Sequence, residues 1–130
     1  MRLAALTILG LALVAAPAQA KTVHAKRINA PAGIRCWAVM PVAGKGIECG
    51  APFLAKIGEL DPYLAVSRHG RAILGERGDY TGYSDRPKRM ADGDTWRWKG
   101  VTCRLRDRGL TCRNADGHGF VLKKGAIRRF

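Results

Sequence analysis

Between Thr95 and Arg113 apolar and polar side chains alternate. Val101, Cys103 and Leu105 are separated by Thr102, Arg104 and Arg106, the period of two expected of a strand with one buried face. Upstream, Trp96 and Trp98 alternate with Arg97 and Lys99. The parity changes at Gly100, where a β-bulge would return both apolar sets to one face. If Asp107-Arg108 forms a two-residue loop, Cys103 stands opposite Cys112 and Leu105 opposite Leu110, both pairs on the apolar face. Asp-Arg is not a favoured pair for a primed hairpin turn, so a three- or four-residue loop using Gly109 is the alternative. In this register the two tryptophans belong to the core.

The rest of the chain reads as shorter extended runs between turn signals. Lys21 to Asn29 is an irregular lead-in, and Ala30-Pro31-Ala32-Gly33 a turn. Ile34 to Met40 predicts a strand, Pro41 to Gly46 a loop, and Ile47 to Gly50 the return, a hairpin that brings Cys36 opposite Cys49. Phe53 to Leu60 is a short helical turn or irregular. Tyr63 to Arg68 and Arg71 to Leu74 form a second hairpin about His69-Gly70. Gly75 to Asp94 is a long irregular connection, and a connection of that length is uncommon without a role or disorder. Asn114 to Gly117 is a turn, His118 to Leu122 a further strand, and Ile127 to Phe130 a short basic tail. The fold class is mainly β: a small antiparallel domain of hairpins stapled by two disulfides, Cys36–Cys49 and Cys103–Cys112.

The N-terminus fixes the compartment in which those cysteines are read. Arg2, an apolar run over residues 3–16 and Pro17-Ala18-Gln19-Ala20 form the pattern of a cleaved signal peptide at 1–20. The run is shorter than the roughly 20 residues a spanning helix needs. Residues 21–130 then form a single exported domain, periplasmic or extracellular in a bacterium, with no transmembrane segment after cleavage. Export makes disulfides the default for an even cysteine count. The cysteines are not arranged in the C-x-x-C pairs of zinc sites, so neither a metal nor a cofactor is expected.

Charge narrows the partners. The chain carries 23 Lys+Arg against 10 Asp+Glu, a net charge of +13. Such a balance attracts anionic polysaccharide, lipid headgroups, nucleic acid or an acidic protein. Arginine outnumbers lysine, and its planar fork suits phosphate and carboxylate. Arg97, Lys99, Arg104, Arg106 and Arg113 would share the wet face of the sheet, with Arg108 at the hairpin tip. Tyr80, Tyr83, Arg86, Lys88 and Arg89 in the long connection form a second basic and aromatic set.

Catalytic signatures are sparse, and no catalytic residue is assigned. Ser67 and Ser84 lie outside any G-x-S-x-G elbow. The acid pairs Asp92/Asp94 and Glu59/Asp61 sit in apparent loops. His118, between Gly117 and Gly119 with Asp116 nearby as an orienting acid, reads as a turn more readily than as a relay. The expected function is a non-catalytic exported binding module for an anionic ligand or surface. A protein-interaction or inhibitor module acting on an exported enzyme is the alternative. A small cell-wall hydrolase, gathering Asp94 or Asp116 with His118, is a weaker third.

Gly33-Ile34-Arg35-Cys36 after Ala-Pro, a cysteine at position 49, and Thr111-Cys112-Arg-Asn114-Ala-Asp-Gly117-His118-Gly119-Phe120 with a final Phe130 resemble a family of small secreted bacterial proteins of unknown function. That family shows Pro-Ser-Gly-Asn-Ile-x-Cys early and Thr-Cys-x-Asn-x-x-Gly-His-Gly-Phe late. The match is specific at the C-terminal motif and looser at the first, where Ala32 and Arg35 depart. The resemblance implies secretion, two disulfides and one domain. It implies no activity.

Overall fold

A computed structural model describes residues 19–39, 46–56, 58–78 and 86–130. Nearly all of the expected signal segment, most of the first hairpin loop, and Tyr80, Tyr83 and Ser84 lie outside the described residues. The strands in chain order are β1 (Thr22–Val23), β2 (Arg27–Ala30), β3 (Ile34–Val39), β4 (Gly46–Gly50), β5 (Asp61–Ser67), β6 (Ile73–Arg77), β7 (Lys88–Arg89), β8 (Thr95–Trp98), β9 (Val101–Arg106), β10 (Gly109–Asn114), β11 (Gly119–Leu122) and β12 (Arg128–Arg129). They form two six-stranded sheets. One runs β1-β8-β9-β10-β11-β12 and the other β6-β5-β4-β3-β2-β7. All pairings are antiparallel except β1 with β8 and β2 with β7.

The pleat decides which side chains enter the core, because successive residues on a strand point to opposite faces. On the first sheet Trp96, Cys103, Cys112 and Phe120 stand in one cross-strand row, and Leu105, Leu110 and Leu122 in the next. On the second sheet Ile28, Cys36, Cys49 and Leu64 form the matching row. Both sets belong to one buried cluster. The Trp96 indole N–H, inside that cluster, donates to the Ala25 carbonyl at 2.8 Å, which satisfies its polar handle.

Both disulfides join residues directly across a ladder, with Cα–Cα distances of 4.1 Å for Cys36–Cys49 and 4.0 Å for Cys103–Cys112. The Cys103–Cys112 register and the Leu105–Leu110 pair are those predicted from the alternation. Asp107 and Arg108 form the two-residue loop, with φ of 48° and 60°. Left-handed conformation at both central positions matches the twist of the flanking strands. It costs an L-residue about 1 kcal/mol or more at each position. Arg108→Gly is therefore expected to raise stability by about 1 kcal/mol, read as a melting temperature several degrees higher. A variant no more stable than the parent would show that the turn is not strained.

Four expectations change. Lys99 and Gly100, with φ of 41° and 83°, are the central pair of a second such turn, not a bulge. Trp98 pairs with Val101 across it, so both apolar sets do reach one face, by chain reversal instead of an inserted residue. The lead-in at Lys21 to Asn29 supplies β1 and most of β2, because Thr22–Val23 and Arg27–Ala30 complete sheet edges that local sequence does not announce. Within Gly75 to Asp94, β6 continues to Arg77, and Lys88–Arg89 forms β7. The basic tail at Arg128–Arg129 is paired as well, with β11. Phe53 to Leu60 carries no helix among its described residues, and none of the described helices is long and apolar enough to cross a membrane.

Candidate anion-binding face

The outer face of the first sheet follows from the same ladders. Arg97, Thr102 and Arg113 stand in one row across β8, β9 and β10. Thr95, Arg104, Thr111, Val121 and Arg128 form the next. Arg106 lies opposite Gly109, two residues along β9 from Arg104. Arg97, Arg104, Arg106, Arg113 and Arg128 are all exposed. Strands lie about 5 Å apart, so arginines on alternate strands are separated by about 10 Å at Cα, with threonines between them. No residue in the six strands of this sheet is acidic. The Phe130 ring packs against Arg113 and Arg128, whose Cζ atoms lie 4.9 and 5.2 Å from its centroid. This contact holds both guanidinium groups over the face.

Four of the five sequence candidates thus share the face. Lys99 does not: it sits in the hairpin turn with its Nζ 5.9 Å from the Trp98 ring centroid. Arg128, which no alternation singled out, joins the set because β12 pairs with β11. Of the long-connection candidates, Arg86, Lys88 and Arg89 are exposed. Lys88 and Arg89 belong to the second sheet, beside β2, so they do not extend the arginine face. Tyr80 and Tyr83 lie outside the described residues.

The Gly-His-Gly segment serves architecture. Asn114, 5% exposed, accepts at Oδ1 from the Asp116 and His118 amides, each at 3.0 Å. Its Nδ2 donates to the carbonyls of Ser67 at 3.0 Å and Gly70 at 2.7 Å. One side chain therefore closes the β10–β11 turn and ties it to the β5–β6 connection of the other sheet. Asp116 adds to the tie by accepting from the Gly70 amide at 2.9 Å and lying 3.3 Å from His69 Nδ1. The Gly70 amide first, and His69 second, hold the Asp116 carboxyl below its ordinary range. Asp116 orients His69, not His118. His118 Nδ1 lies 3.3 Å from the Phe130 carbonyl and braces β12.

Three further acids have structural partners. Asp94, 2% exposed, accepts from the Lys21 and Ala91 amides at 3.1 and 2.9 Å. Asp92 accepts from the Asp107 amide, and Asp61 pairs with Lys56 at 3.2 Å. No group of three or more His, Cys, Asp or Glu that could hold a metal occurs among the described residues.

One polar cluster had no signal in the sequence. Glu48, 4% exposed, accepts from the Trp37 indole at 3.1 Å and from Arg77. Arg77 in turn stacks on Tyr63, 5.6 Å from its ring centroid. Glu48 alternates with the core residues Ile47 and Cys49 along β4, and its partners lie 11 and 29 residues away. Only the sheet brings them together. Beside it, on the outer face of the second sheet, is a cavity of about 300 Å³ flanked by Arg35, Trp37, Lys56 and Asp61.

The arrangement defines a disulfide-stapled protein of two β-sheets with an arginine-covered outer face. Comparison of the chain with family models, with curated proteins and with solved structures returns no match.

Proposed function

We propose that the protein is a non-catalytic exported binding module whose first sheet takes an anionic, multiply charged ligand or surface. The observation that carries this reading is the outer face, with no acid in its strands, that presents Arg97, Arg104, Arg106, Arg113 and Arg128 from β8, β9, β10 and β12. A sheet face that is only solvated normally mixes both signs of charge, as well-behaved surfaces do. Guanidinium forks at about 10 Å intervals can each engage a separate phosphate, sulfate or carboxylate along a polymer. The threonines between them add hydroxyl donors. The resemblance to small secreted bacterial proteins, carried by Thr111 to Phe120, supports the same setting of export and two disulfides.

The test is salt-dependent binding to heparin, duplex DNA and lipopolysaccharide. Affinity should fall linearly with salt on logarithmic axes, because each neutralised charge releases a counterion. Arg104→Gln with Arg113→Gln should weaken binding about tenfold and flatten the slope by one to two contacts. Lys88→Gln with Arg89→Gln, on the other sheet, should change neither. Binding that persists at high salt, or that ignores the first pair, would reject the face and favour a protein-interaction surface.

A further inference from the structure

At one side of the molecule both sheets end on an outermost strand, β6 in one and β12 in the other. The seam there is an open cleft of about 790 Å³, within the range of small-molecule sites. Leu54, Pro62 and Leu64, all buried, belong to its lining, and their apolar side chains offer no hydrogen-bonding group. Leu74 and Ile127 also line it, 45% and 41% exposed. They are two of the four large apolar side chains that are exposed among the described residues. Water-exposed apolar surface inside a concavity marks a site more than scattered surface leucines do. Arg71, Arg128 and Arg129 are the charged side chains of the lining, all exposed, and it includes no acidic side chain. The remaining titratable group, His118, is engaged by the Phe130 carbonyl. The Asn114 and Asp116 hydrogen bonds fix the loop that carries Arg71 against the other sheet.

We infer that this cleft takes a single acyl chain ending in an anionic phosphate head, an anionic single-chain lipid. The apolar part of the lining, Leu54, Pro62, Leu64, Leu74 and Ile127, suits a chain, and the exposed arginines, with no acidic side chain among them, suit a negative charge at one end. A peptide would bring backbone N–H donors for which the lining holds no acidic or amide side chain as acceptor. A second copy seated symmetrically would set Arg71, Arg128 and Arg129 against their own copies, since a two-fold contact pairs each patch with itself. The inference deepens the anion-binding reading, because Arg128 belongs to both the arginine face and the cleft.

The experiment titrates the full exported chain, below the lipid's aggregation concentration, with three probes: oleoyl lysophosphatidate, oleoyl lysophosphatidylcholine and glycerol 3-phosphate. Lysophosphatidate is expected to bind at least tenfold more tightly than the zwitterionic lipid of equal chain. Glycerol phosphate should show no measurable binding. Leu74→Gln with Ile127→Gln, both at exposed positions, should weaken lysophosphatidate at least tenfold while leaving heparin binding unchanged. Arg104→Gln with Arg113→Gln should do the reverse. Equal binding of lysophosphatidate and glycerol phosphate, equal binding of the two lipids, or indifference to the Leu74/Ile127 pair would overturn the cleft. Loss of heparin binding by the parent chain, with lysophosphatidate intact, would instead remove the arginine face and leave the cleft standing.

Discussion

Gly119→Ala is expected to destabilise the protein by more than about 4 kcal/mol, among the largest effects a single substitution produces. Gly119 lies in β11 opposite Arg113. A Cβ at this position would fall inside the envelope of the Cys112 carbonyl oxygen and within 3.0 Å of the Arg113 Cα. Both obstacles are backbone, so no rotamer change relieves them. The two strands must part, and separating them also strips Phe120 and Leu122, both fully buried, from the core. Small domains are stable by only about 5–15 kcal/mol, so the variant should melt at least 15 °C below the parent or fail to fold. Circular dichroism melting decides it. Gly117→Ala, two residues earlier, sets the scale, since φ of 81° strains any side chain there but nothing lies within 4 Å of its Cβ. If Gly119→Ala melts within a few degrees of the parent, the close approach of the two strands is wrong.

Asn114→Ala is expected to cost about 3 kcal/mol, with consequences for both sheets. Four hydrogen bonds from one buried amide are lost. Each is worth about 1 kcal/mol net, and any partner left dry costs more. Amide exchange should accelerate most at Asp116 and His118, which lose their acceptor, and then through the loop that carries Arg71. Asn114→Asp separates the two halves of the network. It keeps an acceptor for the two amides but turns a carboxylate oxygen toward the Ser67 and Gly70 carbonyls. It should therefore be no more stable than the alanine variant at neutral pH and should recover in acid as the carboxyl protonates. An aspartate variant as stable as the parent at neutral pH would show that the donor half contributes nothing.

These two residues also account for the C-terminal motif. Its asparagine closes a turn and bridges the sheets, its histidine braces β12, and its second glycine permits strand contact. A motif with the look of a site is a joint between two sheets. The arginines around it, polar by pattern and easily read as solvated, form the ordered surface instead.

Much of the hairpin was legible along the chain. Alternation over Val101 to Arg106 and Leu110 to Arg113 specified a register, and a one-residue slip would have turned every cysteine and leucine outward. That same register put Arg97, Arg104, Arg106 and Arg113 together. Local information ended where pairing became non-local. Two-residue strands such as Thr22–Val23 and Arg128–Arg129 have too few positions to show a period, and they exist because a neighbouring edge offers them a ladder. The reversal at Lys99-Gly100 and a bulge give the same parity change, so alternation alone could not separate them. By itself the sequence determined a β fold, its two cysteine pairings and the wet face of one hairpin, since each depends on residues close in the chain. The tertiary structure alone decided that Glu48 is buried against Trp37 and Arg77, that Asn114 joins the sheets, and that their ends leave an apolar cleft edged by arginine. Each of these brings together residues distant in the chain: Glu48 and its partners through the strand pairing of one sheet, the other two through the packing of one sheet on the other.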